Sequence, residues 1–413
     1  MVVAVASSVI TPPQACHGLR ARFRSLVLFI LALMVGPNVA IAEIIWSGDF
    51  STGNFMQYHV PDDANKVAFW WMPAYGAPPE TNLGPGEDYV YGPAEPSEGD
   101  GSLLSLVTSP TRGSRYSAKF TVKNAQSGSE PRDCDPVGAT CDRRRVQLQM
   151  FKTLPDYYDA LPYRKTRWIS LSIFLPADYP VGGSGFGPVI LGSKPRNDKN
   201  GQSGHLQIQV DGSQWQIYHR WAADNPDGQV PWQQAMFYTA DYPSEEKWPD
   251  GLRDFPSADA QAALGSLNLG GWTDWIIKTN NDARGSREGG EGFITVWKRE
   301  DNGLWVRVLH IVPKVTTRGG MTFDHGIGYH VPPINGNNGG YGVSTGVYMS
   351  KEQVWDQPQD KVIYLANHKI GDENTTFVEM SPDGSAPSVE ATDSSGETNP
   401  VVAAPMPPAL DQE

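Results

Sequence analysis

The chain is poor in cysteine, in basic residues and in long apolar runs, and each shortage excludes a class of protein. Three cysteines in 413 residues are too few for a disulfide-rich scaffold. The formal net charge of −13 argues against a nucleic-acid partner. The apolar run from Ser25 to Val35 is too short to span a bilayer. Helical periodicity is almost absent, and no internal repeat is found.

Glycine, proline and tryptophan, by contrast, are abundant, with 43, 34 and 13 residues. Closely spaced turn residues between short alternating stretches favour a β protein over a helical bundle. We predict an all-β fold of two packed antiparallel sheets, a concanavalin-like jelly roll with one concave face that forms a substrate groove. Exposed tryptophan and tyrosine often stack on sugar rings, although tryptophan also fills cores.

Residues 1–42 have the pattern of an export signal. Arg20, Arg22 and Arg24 form its positive region, the apolar run follows, and residues 40–42 are a small-residue cleavage site. The mature protein is therefore expected to be secreted or periplasmic, with no membrane segment once the signal is removed. Cysteine usage agrees, since Cys134 and Cys141 bracket a short loop and are predicted to form one disulfide.

The rest of the chain is predicted to consist of one β domain, residues 43–377, and a disordered tail, residues 378–413, rich in proline, serine and acids. Two hairpins are expected in the domain, one through Asp211-Gly212-Ser213 and one through Asn302-Gly303. Residues 222–268 have no clear period and are interpreted as a loop insertion over the groove.

One alternating stretch has an unusual polar side. Arg145, Gln147 and Gln149 alternate with Val146 and Leu148, so the polar groups share one face of a predicted strand. A second predicted strand repeats the pattern with His205, Gln207 and Gln209. A row of amides and a fixed cation suits a groove that binds hydroxyls and carboxylates. The competing interpretation is two solvated faces of an ordinary sandwich.

Further motifs follow in order along residues 100–370. They are Trp-Ile-Ser-Leu-Ser-Ile-Phe-Leu-Pro-Ala-Asp-Tyr-Pro, Val-Ile-Leu-Gly-Ser-Lys-Pro, Gly-Trp-Thr-Asp-Trp-Ile-Ile-Lys, Gly-Phe-Ile-Thr-Val-Trp and Tyr-Gly-Val-Ser-Thr-Gly-Val-Tyr. With the Arg-x-Gln-Leu-Gln strand, this succession resembles the jelly-roll polysaccharide lyases, in particular the group of heparin lyase I and the glucuronan lyases, with alginate lyases as more distant relatives. The resemblance implies a lyase that cleaves a uronic-acid-containing polysaccharide by β-elimination.

The chain departs from that family's pattern at several positions. The family's Arg-x-Glu-Leu-Arg becomes Arg145 to Gln149, so that amides replace an acid and a base. The family histidine after Ile-Leu is missing, and Lys194 is the nearest polar candidate. The final tyrosine is kept as Tyr348, while Ser344 stands at the lysine position and Tyr341 lies one residue from the expected earlier tyrosine.

β-Elimination removes the C5 proton beside a carboxylate, so a cation or amide must stabilise the charge that develops there. Arg145 and Gln147 suit this role, and Tyr348 suits proton transfer if nearby cations lower its pKa. The competing interpretation of Tyr348 is a structural tyrosine of the strand, and that of His205 is a structural, hydrogen-bonded histidine at the start of a strand. The predicted catalytic set is Tyr348, Arg145, His205 and Lys194. The predicted substrate-binding set is Gln147, Gln149, Gln207, Gln209, His219 and Tyr341.

Two alternative functions remain open at this point. One is a non-catalytic carbohydrate-binding protein on the same scaffold, and the other is a glycoside hydrolase, which would need two carboxylates across the groove. The expected partner is an acidic polysaccharide, and the chain is expected to be monomeric. No cofactor or metal is expected; a calcium site at Asp198, Asp301 and Asp324 is the alternative, without EF-hand spacing to support it.

Overall fold

The computed structural model describes residues 43–60, 63–70, 90–93, 104–122, 144–149, 161–181, 186–193, 206–223, 232–238, 264–265, 267–318, 321–328, 340–349 and 359–387. The regular structure of these ranges is almost exclusively β-strand, and it includes a short α-helix, α1, at Phe377–Met380. The strands are β1 Ile44–Ser47, β2 His59–Val60, β3 Asp63–Trp70, β4 Val90–Pro93, β5 Leu104–Val107, β6 Ser117–Val122, β7 Arg144–Gln149, β8 Leu161–Pro162, β9 Thr166–Leu175, β10 Phe186–Ser193, β11 Leu206–Asp211, β12 Gln214–Ala223, β13 Trp232–Tyr238, β14 Gly271–Asn280, β15 Phe293–Glu300, β16 Val306–Ile311, β17 Lys314–Arg318, β18 Met321–His325, β19 Gly340–Met349 and β20 Lys361–Gly371. The prediction of an all-β fold is confirmed.

The strands form two antiparallel sheets. The first sheet has the order β16-β15-β14-β9-β20-β6-β5, with β1 beside β20. The second sheet has the order β17-β18-β12-β11-β10-β19-β7-β3-β2, with β13, β4 and β8 paired to β12, β3 and β19. Neighbouring strands come from distant parts of the chain, as in a jelly roll.

Period-two alternation explains why the sheets pack against each other. Ile169, Leu171 and Ile173 of β9 are completely buried in a core cluster that also contains residues of the second sheet. Trp215 of the second sheet meets Trp275 of the first, with ring centroids 5.2 Å apart and planes at 77°. Burial of each such side chain stabilises the fold by roughly 1.5–3 kcal/mol. The predicted two-sheet sandwich is therefore confirmed.

Both predicted hairpins are present. Strands β11 and β12 pair in register from Leu206 opposite His219 to Asp211 opposite Gln214. The turn between them uses Gly212 at φ 61°, a conformation that glycine adopts without strain. Strands β15 and β16 form the second hairpin.

The C-terminal segment corrects the predicted domain boundary at residue 377. Thr376 and Glu379 form a capping box that starts α1, and Met380 is completely buried. Asp383 then binds Arg299 of the first sheet, with Nη1 and Oδ2 2.9 Å apart. Packed structure thus continues to residue 387, because apolar and acidic groups within a polar segment find partners on the first sheet.

The proposed insertion at 222–268 also contains regular structure, since β13 pairs with β12 from Ile217 opposite Tyr238 to Ala223 opposite Trp232. The export signal and the Cys134–Cys141 pair lie outside the described residues. Within the described ranges, no helix combines the length and apolar character needed to cross a bilayer.

Candidate functional site

The central strands of the second sheet present one side to the core and one side away from it. Leu148, Leu206, Ile208, Val343 and Val347 are buried in the core cluster. The positions that alternate with them belong to the opposite side, because successive strand residues face opposite sides. We call these positions the polar face: Arg145, Gln147 and Gln149 on β7, Ser344, Gly346 and Tyr348 on β19, and Gln207 and Gln209 on β11.

Strand register brings the two leading catalytic candidates together. Tyr348 of β19 is the direct cross-strand partner of Arg145 of β7. Directly opposed residues of an antiparallel pair share a face, with Cα atoms about 4.5–5.5 Å apart. The structure thus places a phenol position beside a guanidinium position, although their separation in sequence gave no information on this pairing.

The same register joins the two glutamine-rich strands. Gln149 lies opposite Ser344, Ser344 lies opposite Ile190 of β10, and Ile190 lies opposite Gln207. This row crosses β7, β19, β10 and β11 without a break. The two stretches singled out in the sequence therefore contribute to one continuous face, separated by two strands.

Gly346 occupies the centre of the polar face. It lies opposite Gln147 and between Ser344 and Tyr348, with φ 129°. Glycine is favoured at this backbone conformation, and an interior strand glycine often marks a place where another group approaches the backbone closely.

Gln209 is fixed by a neighbouring amide. Its Nε2 donates a hydrogen bond to Oε1 of Gln216 on β12, and both side chains are largely buried. Gln207 on the same strand is only partly buried. The two predicted binding glutamines of β11 therefore differ, since one is held in an amide pair and the other retains more solvent contact.

His219 does not belong to the polar face. It lies opposite Leu206, shares one side of β12 with the buried residues Trp215 and Ile217, and is 2% exposed. The predicted role in substrate binding is corrected by this position, since the side chain is on the core side of the sheet. The two-residue turn after Asp211 places Gln216 and Tyr218, rather than His219, beside the glutamines of β11.

Tyr341 shares the alternation of Val343 and Thr345, which are completely buried on the core side, and it pairs with the buried Leu161 of β8. Its position therefore belongs to the core-facing side of β19 in the register, and its role in substrate binding stays a prediction. His205 and Lys194 lie outside the described residues. Lys194 directly follows Ser193, the last residue of β10, and His205 directly precedes Leu206, the first residue of β11.

Sequence reasoning missed two aromatic positions on this face. Trp70 of β3 is the cross-strand partner of Gln147, and Tyr218 of β12 is the partner of Gln207. Tyr218 comes from the second strand of the hairpin predicted through Asp211-Gly212-Ser213. The alignment of both residues with the polar row depends on long-range pairing, which short-range alternation does not contain.

A buried polar contact joins Tyr58, directly before β2, to β20 of the first sheet. The Tyr58 hydroxyl donates to the carbonyl of Gly48 (3.1 Å) and lies 3.0 Å from Nδ1 of His368 on β20. Burial raises the pKa of Tyr58 well above its usual value. Burial also lowers the pKa of His368 to about 3. These groups link the first sheet to the segment that leads into β2 of the second sheet.

The acids named for a calcium site have other partners. Asp301 accepts hydrogen bonds from the backbone N–H of Trp272 (2.9 Å) and the amide of Asn268 (2.9 Å). Asp324 accepts one from the backbone N–H of Arg287 (2.8 Å), and Asp198 lies outside the described residues. In the part of the chain that the structure describes, no cluster of three or more histidine, cysteine or acidic residues is arranged to hold a metal.

Two packed antiparallel sheets with jelly-roll connections and a polar outward face define the class of β-sandwich, jelly-roll proteins. A sequence model of the polysaccharide lyase family matches residues 90–364, more than half of the chain. The chain belongs to this polysaccharide lyase family. A search of the curated proteins finds no match.

Solved structures to which this chain is similar include lyases and a glucanase. An endo-β-1,4-glucuronan lyase from the fungus Trichoderma reesei is 10% identical, with TM-score 0.42, over 68% of this chain and 90% of that one. A GH131 β-glucanase catalytic domain from Podospora anserina is 10% identical, with TM-score 0.42, over 83% and 99%. The PL-14 alginate lyase from Aplysia kurodai is 8% identical, with TM-score 0.32, over 65% and 86%.

Proposed function

We propose that the protein is a secreted lyase that cleaves a uronic-acid-containing polysaccharide by β-elimination, and that the polar face is its substrate groove. The observation that carries this proposal is the direct cross-strand pairing of Arg145 with Tyr348, two residues from Gly346. The pairing makes an arginine, a tyrosine and a glycine neighbours in the register of two adjacent strands of the second sheet.

The chemistry assigns a role to each member of this group. Arg145 and the Gln147 amide bind the uronate carboxylate and stabilise the negative charge that develops when the C5 proton leaves. The electron pair of the C5–H bond forms the C4–C5 double bond, and the bond from C4 to the leaving oxygen breaks. That oxygen takes up a proton, so the products are an unsaturated uronate and a new chain end.

Tyr348 is proposed to transfer the proton. A phenolate accepts the C5 proton, and the resulting phenol donates a proton to the leaving oxygen. An adjacent guanidinium favours the phenolate, since a nearby cation lowers the pKa of an acid. The pairing with Arg145 supplies that cation one strand away. His205 and Lys194 remain proposed as additional proton-transfer groups.

A glycoside hydrolase is less well supported. Hydrolysis by the usual route requires two carboxylates placed across the sugar chain. Along the described parts of β7, β19 and β11, the positions that share the alternation of the polar face include one further residue with a carboxylate, Asp211 at the end of β11. The non-catalytic alternative is favoured by Ser344, which stands where the resembling lyases carry a lysine.

An assay on several polymers tests the proposal. Purified protein is incubated with glucuronan, alginate, heparin and ulvan, and ultraviolet absorbance of the unsaturated uronate is followed together with new reducing ends. The proposed lyase produces both signals on at least one polymer. Reducing ends without absorbance would indicate a hydrolase, and retention on a polymer without either signal would indicate a binding protein.

Secretion is tested separately. When the full chain is expressed with an intact export pathway, the mature protein is expected outside the cytoplasm with Glu43 as its first residue, determined by intact mass. A full-length chain retained in the cytoplasm would contradict this part of the proposal.

A further inference from the structure

A cluster of charged residues lies where the chain passes from the second sheet to the first. Pro162 of β8 pairs with Gly340, at the start of β19. Two residues later, the backbone N–H of Arg164 donates to the carbonyl of Asn281, directly after β14 (2.8 Å). Gly340 is four residues from Ser344 of the polar face, about 13 Å along the strand. The cluster therefore lies beyond the first residue of β19, at the end of the strand that carries Ser344 and Tyr348 of the polar face.

Asp282 is the centre of this cluster. Its side chain is 1% exposed, and it accepts hydrogen bonds from Nε and Nη2 of Arg284 at 3.1 and 2.6 Å. The backbone N–H groups of Arg284 (3.1 Å) and Glu291 (3.3 Å) and the Tyr163 hydroxyl (3.3 Å) also donate to it. Burial raises its pKa, but these hydrogen bonds prevail and hold the pKa at about 2. The carboxylate is therefore charged at any physiological pH.

Arg164 contacts the same carboxylate in a different way. Its Nε lies 3.5 Å from Oδ1 of Asp282, and 49% of its side chain is exposed. The guanidinium also lies over the ring of Tyr163, 5.1 Å from the centroid. The group is thus restrained on two sides while half of the side chain faces solvent. A guanidinium restrained in this way loses less conformational entropy when it binds a carboxylate than that of an unrestrained arginine does.

The backbone of Arg164 is also unusual. Its φ is 57°, in the left-handed region that non-glycine residues rarely adopt. Residues held in such conformations are concentrated at binding and catalytic sites, where the surrounding structure fixes them. The bond from its N–H to Asn281 and the contact with Asp282 provide that fixation.

We propose that Arg164 binds a carboxylate of the acidic polymer at a subsite beside the polar face; this rests on the proposed function and extends it. Two guanidinium groups share one carboxylate, so the Arg164–Asp282–Arg284 group carries one net positive charge. Arg284 donates the strong hydrogen bonds that hold the Asp282 carboxylate. Arg164 is the arginine that binds the ligand carboxylate. The exposed acids Glu288 and Glu291 lie in the same loop, so the proposal depends on this geometry rather than on a broad positive field.

The test uses gel retardation in the presence of alginate or glucuronan, with every variant built on Tyr348→Phe so that cleavage does not interfere. Arg164→Gln removes the charge, Arg164→Lys keeps the charge without the fork, and Lys165→Gln removes the charge of an exposed neighbour. We expect Arg164→Gln to weaken binding about tenfold, as for the loss of one charged hydrogen bond. The affinity of Arg164→Lys should lie between those of the parent protein and Arg164→Gln. Lys165→Gln should change the affinity less than about twofold. Hydroxyethyl cellulose, which has no carboxylates, should not distinguish the variants.

Equal retardation of Arg164→Gln and Lys165→Gln overturns the subsite, even if the wild-type protein cleaves the polymer with absorbance. Conversely, weaker binding by Arg164→Gln in a protein that never produces absorbance supports the subsite and contradicts the lyase. Failure of the parent protein to be retarded by either acidic polymer overturns the subsite. Thermal unfolding of each variant confirms that Arg164→Gln, an exposed change, leaves the fold intact.

Discussion

The outward faces of the two sheets follow the same alternation but place different partners opposite an arginine. On the first sheet, Arg299 lies opposite Asp274, and its Nη2 is 2.7 Å from Oδ2 of that acid. Arg112 and Ser172 donate to the same carboxylate, at 2.5 and 2.7 Å. On the second sheet, Arg145 lies opposite Tyr348. One arginine completes an ionic network within the protein, while the other is paired with a group suited to proton transfer.

The first sheet is also covered by its own chain. The ring of Phe377 lies among Trp168, Trp297 and Trp305, with centroids 6.4, 5.4 and 5.1 Å away and planes nearly perpendicular. Asp383 extends the network through Arg299. The comparison shows that a polar alternating strand identifies an outward face but not its purpose. The purpose depends on whether the chain itself supplies the partners of that face.

The largest expected effect comes from breaking the pair on the second sheet. Tyr348→Phe removes the phenolic proton and keeps the ring, so turnover should fall about a thousandfold, about 4 kcal/mol in the barrier, while binding and stability are nearly unchanged. Initial rates of absorbance increase and gel retardation measure the two quantities. Full activity of this variant would make Tyr348 a structural residue of the sheet.

The matching change on the first sheet should act on stability instead. Asp274→Asn leaves two buried or partly buried arginines without their carboxylate, which should cost about 3 kcal/mol in the free energy of unfolding. Urea denaturation measures this loss, and the activity per folded molecule should be retained. A stable but inactive Asp274→Asn variant would reverse the roles assigned to the two faces.

A change in the segment that covers the first sheet, from Phe377 to Asp383, should have a smaller effect on the free energy of unfolding. Phe377→Ala empties the space between the three tryptophans and should cost about 2 kcal/mol, because the ring is only partly buried. Val378→Ala, at the next and more exposed position, is the matched control and should change stability by less than about 0.5 kcal/mol. Equal effects of the two changes would mean that the segment does not depend on its aromatic contact.

The buried contact between Tyr58 and His368 predicts the smallest effect, a dependence of the free energy of unfolding on pH. Burial lowers the pKa of His368 to about 3, whereas an unfolded histidine titrates at about 6.5. Below about pH 6.5 the unfolded chain takes up a proton that the folded protein does not, so the free energy of unfolding decreases with acidification. We expect a loss of about 1.4 kcal/mol between about pH 7.5 and pH 5.5. The same slope in His368→Gln would assign the effect to other groups.

Local features of the site could be predicted from the sequence, but its assembly could not. Alternation in residues 145–149 and 206–210 indicated the outward side of each strand, and the turn residues at 211–213 indicated a hairpin. The pairing of Arg145 with Tyr348, and of Trp70 with Gln147, depends on contacts between distant strands that no local period encodes.

The misplaced residues have a related physical cause. Residue type alone predicts His219 as a binding residue, although the side of β12 on which it lies depends on the length of the preceding turn. Composition alone predicts a disordered segment after residue 377, although Phe377 and Met380 supply enough apolar contact to hold it on the first sheet. In both places, tertiary packing decided what composition and residue type could not.

The central claim is that the polar face of the second sheet holds the acidic sugar chain. The most direct measurement is a crystal structure of the Tyr348→Phe variant with an oligouronate bound. We predict sugar density across β7, β19 and β11, with a carboxylate in contact with Arg145. Density confined to another surface, with the polar face filled by the protein's own side chains, would contradict the account.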